Sequence, residues 1–226
     1  MAEVTVATLV YRDARWLDWW KVGLDQAKTR VSYRTLVLAN DATEFVRHHK
    51  LVDYDFRNPD PNEHYIARVY RAWNECVLLA RTPLVCLMNN DMWPYHGWLD
   101  ELVECKRAVP NVVPVSLLVE NGRIPSAIPE HVKDFGTTPE TFNAAGFMAY
   151  AESICKPGSV EPGRLFQPVI FNREEFLDLG GYHEGNLADG TSGDADLFNR
   201  YKAAGYGWAT CLGSVVAHLQ EGEQRG

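Results

Sequence analysis

Three clusters of small polar groups follow apolar runs: Tyr11-Arg12-Asp13 after VTVATLV, Asn40-Asp41-Ala42-Thr43 after RTLVLA, and Asn89-Asn90-Asp91 after PLVCLM. Together they offer amide and carboxylate oxygens, amide N–H donors and a phenol, a set suited to a polar ligand. If the runs are strands of an open α/β sheet, all three clusters lie outside the carboxyl ends of the strands, where such sheets bind ligands. Each also has a plainer role. Asn, Asp and Thr end strands and cap helices, and Asp41 could be the amino-terminal cap of a helix at 42–48. Three clusters at matching places point to a site without naming a reaction.

The elements that would position them alternate along the chain. Strand-like VTVATLVY (4–11) precedes ARWLDWWKVGLDQA (14–27), which places Leu17, Trp20, Leu24 and Ala27 at helical spacing. RTLVLAN (34–40) and LVDYDF (51–56) read as strands, and 64–80 as a long helix. PLVCLM (83–88) is a further strand, 94–108 a helix and VVPVSLLV (112–119) a strand. This is the pattern of an α/β domain with a mostly parallel sheet flanked by helices. Between 121 and 168 prolines and glycines break the pattern, leaving one helix at 139–152 with Pro139 suited to its first turn. That stretch is expected to be a mobile excursion over the sheet. LFQPVIF (165–171), a short helix at 173–179, a helix beginning near Asp194, and the strands GWATCL and SVVAHL close the domain.

At 226 residues, 46% hydrophobic and 12% aromatic, the chain can bury one sizeable core. The net charge of −8 is uneven: 12 basic and 11 acidic residues through Arg81, then 10 and 19. An acidic carboxyl-terminal half argues against a broad nucleic-acid-binding face there and leaves room for a local basic patch in the amino-terminal half. Five cysteines, an odd number with no CxxC or metal-ligand spacing, read as reduced thiols packed as small hydrophobes. The amino terminus begins acidic and turns strand-like, and no apolar run is long enough to span a bilayer. The expectation is a soluble cytoplasmic protein without a transmembrane segment; the sequence leaves the oligomeric state open.

Taken in order, these stretches resemble a small glycosyltransferase of the GT-A fold, most similar to the large family 2 group. The matches are LVYR (9–12), NDAT (40–43), AWN (72–74), LMNNDMWPYHGWLDEL (87–102), GGYHE (180–184), GDADLFNRYKAAGYGW (193–208) and VVAH (215–218). Asn74 precedes Asn89 by 15 residues, as the family's spacing requires. Only 120–164 goes unmatched. The resemblance divides the single domain into a nucleotide-sugar-binding half (1–119), the excursion (120–164) and an acceptor and catalytic half (165–226).

The resemblance implies a role for each matching residue. Asp91 stands at the last carboxylate of the DxD motif, which holds Mn²⁺ or Mg²⁺ between the phosphates of a nucleotide sugar. Asn89 takes the motif's first position and would bind ribose or hold the turn, and Asn74 belongs with the donor-binding set. His218 matches a late histidine that completes the metal shell in parts of the group. Asp41 matches the carboxylate that accepts from a uracil N3–H, with Asn40 beside it and Tyr11 at the base-stacking position, so UDP comes before dTDP or GDP. Asp194 matches the general base that takes the proton of the acceptor hydroxyl. It could also cap its helix, Gly193 replaces the usual Glu beside it, and Asp189 and Glu184 are alternatives.

Trp93, Trp98, Phe142, Phe147 and Tyr150 could line an acceptor groove or belong to the core. The implied reaction moves a hexose or pentose from a nucleotide diphosphate to a hydroxyl on a saccharide or glycan, or on a hydroxymethylated pyrimidine in DNA. A catalytically silent nucleotide-binding domain on the same fold is the alternative of another class. A nucleotidyltransferase lacks support, because no Gly-rich phosphate loop with a following Lys stands near the first strand.

Overall fold

The β-branched run VTVATLV forms β1 (Val4–Val10), almost wholly buried, as a central strand covered on both faces must be. The computed structural model describes residues 2–60, 62–124, 128–163, 167–184 and 192–220. After β1 come α1 (Ala14–Gln26), β2 (Tyr33–Asn40), α2 (Glu44–Arg47), β3 (Tyr54–Phe56), α3 (Tyr65–Leu79) and β4 (Leu84–Leu87). Then follow β5 (Met92–Pro94), α4 (Trp98–Ala108), β6 (Val112–Glu120), α5 (Ala144–Ile154) and β7 (Val160–Pro162). The chain closes with β8 (Val169–Asn172), α6 (Arg173–Asp178), α7 (Gly193–Ala203) and β9 (Gly207–His218).

All nine strands join one sheet in the order β3-β2-β1-β4-β8-β6-β9-β5, with β7 also paired to β9. Parallel ladders join β3, β2, β1 and β4, and β6 to β9, and they hold most of the paired residues. Because β8 runs antiparallel to both β4 and β6, the strands β1, β2, β4, β6 and β9 all point the same way. Their carboxyl ends therefore share one edge. The chain leaves β1 toward β2 on one side and returns to β4 on the other, so this edge contains a topological switch point.

Two apolar layers cover the sheet. Trp16, Leu17 and Trp20 of α1 pack with Trp98 and Leu102 of α4 and Phe147 of α5. Trp73 and Val77 of α3 pack with Phe176 of α6 and Leu197 and Tyr201 of α7 in the other layer. The helical spacing in α1 marks its buried face: Leu17, Trp20, Leu24 and Ala27 all lie in the core.

Two expectations are corrected here, and one reading left open, groove or core for the aromatic residues, falls to the core. GWATCL and SVVAHL form one strand, β9, whose register against β6 jumps between Ser116↔Cys211 and Leu117↔Val215. The extra residues Leu212-Gly213-Ser214 make a bulge, pinned by a buried 2.8 Å bond between the Ser116 and Ser214 hydroxyls. Without it Val215 would lie opposite Glu120; with it His218 does. The helix expected at 139–152 starts at Ala144, because Asn143 caps it by accepting from the Gly146 N–H at 3.0 Å. The aromatic groove residues are packing residues. Trp93 lies buried against Trp19 and Phe142 (5.1 and 5.2 Å between ring centres), Trp98 and Phe147 are buried, and the Tyr150 hydroxyl donates to the Glu130 carbonyl.

Candidate active site

After β4 the chain turns through Asn89-Asn90-Asp91 into β5, which pairs antiparallel with the end of β9 so that Met92 faces His218. The Leu219 N–H donates to the Asp91 carbonyl at 3.1 Å and completes the clamp. These backbone bonds bring Asp91 Oδ2 and His218 Nε2 to 3.5 Å. On the other side, His218 Nδ1 is 2.7 Å from Glu120 Oε1, the last residue of β6. Asp91 and Glu120 are 4% and 2% exposed. Burial alone would depress the His218 pKa, but Asp91 and Glu120 more than compensate and push it up to about 10.

The two buried carboxyl groups hold the imidazole in its charged form, and a divalent cation beside Asp91 would displace the Nε2 proton and take over that positive charge. Asp91 and His218 Nε2 supply oxygen and nitrogen to the same point, while Glu120 fixes the imidazole from behind, as the outer partners of metal-binding histidines do. Glu120 Oε2 is buried without a hydrogen-bond partner. Among the described residues no group of three His, Cys, Asp or Glu side chains forms a cage. A hard cation at Asp91 and His218 takes its remaining oxygens from water or a phosphate.

The second cluster sits at the end of β2. Asn40 is buried, and its side-chain oxygen accepts from Asn58 Nδ2 at 2.9 Å. Asp41 takes a left-handed backbone conformation (φ 49°), which turns its carboxylate away from the following helix. Its Oδ1 accepts from the Asn58 N–H at 3.0 Å, and Oδ2 accepts from Asn58 Nδ2 at 2.6 Å and Arg68 Nη1 at 3.2 Å. The helix cap proposed for Asp41 is Thr43 instead. Tyr11 follows β1 at the same edge, with its carbonyl accepting from the Thr43 N–H and the Arg12 guanidinium 4.7 Å from its ring centre.

Asn74 stands apart from this edge. Its Nδ2 donates to the Tyr182 carbonyl and its Oδ1 accepts from the Tyr182 N–H, both at 2.8 Å. The donor-binding residue inferred from the resemblance thus holds the 181–184 turn from within. Gly181 (φ 62°) is needed beside it, since a Cβ there would stand 2.6 Å from Asn74 Oδ1.

Asp194 lies in the first turn of α7, and the cap of that helix is Ser192, whose hydroxyl accepts from the Ala195 N–H at 3.2 Å. The capping role weighed for Asp194 therefore falls away. Its Oδ2 accepts from the Tyr70 hydroxyl of α3 at 2.9 Å. Burial raises the Asp194 pKa, and the bond from Tyr70 opposes that rise. Asp194, Tyr70, Tyr182, Asn89, Met92 and His218 all line one cavity of about 210 Å³. The carboxylate expected to act as base and the histidine expected to hold metal thus face a shared space. Of the two alternatives to Asp194, Glu184 pairs with Arg71 at 3.2 Å and is largely exposed, and Asp189 lies outside the described residues.

Glu120, Tyr70 and Asn58 were not singled out from the sequence. Glu120 carried a usable signal, a carboxylate at the carboxyl end of a buried strand, by the same rule that found the three clusters. The others reach the site from α3 and the loop before it.

No protein-family model and no curated protein sequence matches the chain. Solved structures do. The crystal structure of GalNAc-T7 with UDP, GalNAc and Mn²⁺ matches with a TM-score of 0.64 and 12% identity, over 96% of this chain and 44% of that one. The mannosyltransferase PcManGT from Pyrobaculum calidifontis, in complex with GDP-Man and Mn²⁺, matches with a TM-score of 0.59 and 16% identity, over 99% of this chain and 58% of that one. The chain spans about half the length of these structures. At such identities the likeness establishes the fold: the chain has the GT-A fold of glycosyltransferases.

Proposed function

We propose that the chain is a metal-dependent glycosyltransferase, moving a sugar from a nucleotide diphosphate to an acceptor hydroxyl. The observation that carries this reading is the shared cavity: His218, which pairs with Asp91, and Asp194 line the same space. Asp91 and His218 are the residues that would hold Mn²⁺ or Mg²⁺. Bound there, the cation offsets the negative charge that builds on the departing diphosphate. Asp194 accepts the acceptor's hydroxyl proton as that oxygen bonds to the anomeric carbon and the bond from that carbon to the diphosphate breaks. Burial raises the Asp194 pKa, which strengthens it as a base, and the bond from Tyr70 holds one carboxylate oxygen.

On the donor side, Tyr11, Asn40 and Asp41 form the base end and Asn89 the ribose or phosphate end, with a uridine diphosphate favoured by the Asp41 carboxylate. A saccharide or glycan is the acceptor we favour over a modified base in DNA. Most basic side chains of the amino-terminal half are neutralised within the molecule: Arg15 by Asp13 and Glu140, Arg47 by Glu44 and Asp55, Arg68 by Asp41, and Arg71 by Glu63 and Glu184. They do not form a strip free to track a phosphate backbone. Among the described residues no helix is long and apolar enough to cross a membrane, and the five cysteines are unpaired, in keeping with a cytoplasmic enzyme.

A thermal-shift screen of UDP-, GDP- and ADP-sugars with and without Mn²⁺ tests the reading. Stabilisation that needs the metal and is largest for UDP-sugars is the expected result. The absence of metal-dependent stabilisation by every nucleotide sugar would overturn it.

A further inference from the structure

Tyr70 and Asn74 stand one helical turn apart on α3, and together they grip the two segments that carry Asp194. Asn74 clamps the backbone of Tyr182 from both sides, and the Tyr182 ring stacks on Tyr70 at 4.9 Å between centres and 13° between planes. The Tyr70 ring also lies against Gly193, the first residue of α7. A Cβ at Gly193 would lie 2.3 Å from Tyr70 Cε2, so the ring occupies the space that any other residue would need. From this sandwich the Tyr70 hydroxyl reaches Asp194 Oδ2 at 2.9 Å.

We propose that Tyr70 is the positioning residue of the base, fixing one carboxylate oxygen of Asp194 so that the other is presented to the cavity. The proposal rests on Asp194 being the base, as argued above. It explains why glycine stands at 193, where the resemblance implies glutamate: the aromatic ring takes that volume and the phenol makes the bond to the carboxylate. Burial and the negative charge of Asp194 both hold the Tyr70 hydroxyl protonated, so it donates across the working pH range. The titratable groups facing Asp194 are Tyr70 from α3 and Tyr182 from the turn before α7, and His218 lines the same cavity from β9.

Tyr70→Phe keeps the ring, its stack on Tyr182 and its contact with Gly193, and removes only the hydroxyl. The test compares wild type, Tyr70→Phe and Asp194→Asn in two measurements. In the first, the carboxyl carbons of ¹³C-labelled aspartates are titrated by NMR, and the resonance missing in Asp194→Asn identifies Asp194. Its midpoint is expected to rise by about one pH unit in Tyr70→Phe, the size of one net hydrogen bond to the charged form. In the second, turnover of UDP-sugars with Mn²⁺ is expected to fall about tenfold in Tyr70→Phe with unchanged donor KM, and by ~10²- to 10⁴-fold in Asp194→Asn. An unmoved midpoint with wild-type turnover in Tyr70→Phe, beside an inactive Asp194→Asn, would overturn the positioning role alone. Wild-type turnover in Asp194→Asn would overturn the base assignment and Tyr70's role with it.

Discussion

Glu120 contributes a charge to the site without reaching the cavity. Its Oε1 lies 2.7 Å from His218 Nδ1 and leaves Nε2 turned toward Asp91, so the carboxyl group sets both the orientation of the imidazole and its strength as a ligand. Removing the charge while keeping the shape isolates that contribution. Glu120→Gln is expected to fold as wild type and to bind Mn²⁺ about tenfold more weakly, the low end of what such outer partners are worth. Calorimetric titration of Mn²⁺ in the presence of UDP measures it, and equal affinity in the two proteins would leave His218 without need of its partner. The same scale shows why a capping role stayed open for Asp41. Asp41 has the right type and place for a helix cap, yet its partners are Asn58 and Arg68, 17 and 27 positions away. Local sequence favours the nearest use of a carboxylate and cannot see the distant one.

Element by element, the order of strands and helices was legible because buried strands and one-sided helices carry different periods. What escaped was set by tertiary pairing. β5 is three residues, all buried, with no alternation to reveal a strand, and it exists because β9 offers an edge to it. The bulge at Leu212-Gly213-Ser214 reads as a break, since its hydrogen bonds lie across the sheet. The start of α5 followed Asn143, a stronger signal than Pro139 for where a helix begins. Of the candidate site, the placement of Tyr11, Asn40, Asp41, Asn89 and Asp91 at the ends of β1, β2 and β4 was legible. The bond between Tyr70 and Asp194 spans 124 positions and was not. That junction of α3 with α7 yields an element-scale prediction. Gly193→Ala places a methyl group on the Tyr70 ring and is expected to cost about 1 to 3 kcal/mol, as overpacking does. Urea unfolding should show a lower midpoint with an unchanged slope; an unchanged midpoint would mean that the two helices separate freely.

For the whole molecule, the charge distribution is the argument for the proposed saccharide acceptor, and the shared sheet edge is the argument for the proposed chemistry. With Arg15, Arg47, Arg68 and Arg71 paired internally and the excess negative charge beyond Arg81, a polyanionic acceptor would meet repulsion. Incubation with Mn²⁺, pooled UDP-sugars and either a saccharide panel or hydroxymethylcytosine-containing DNA is therefore expected to add sugar mass to a saccharide. Mass added to the DNA alone would select the other acceptor. Beneath either outcome lies the central claim, that the edge formed by β1, β2, β4, β6 and β9 is a single nucleotide site completed by a cation on Asp91 and His218. Its most direct test is the affinity for UDP, measured by calorimetry with and without Mn²⁺, in wild type and in Asp91→Asn. Asparagine can keep the turn but cannot supply the anionic oxygen, so the account predicts tight, Mn²⁺-dependent binding in wild type and metal-independent, weaker binding in the variant. The same dependence on Mn²⁺ in both proteins would contradict it.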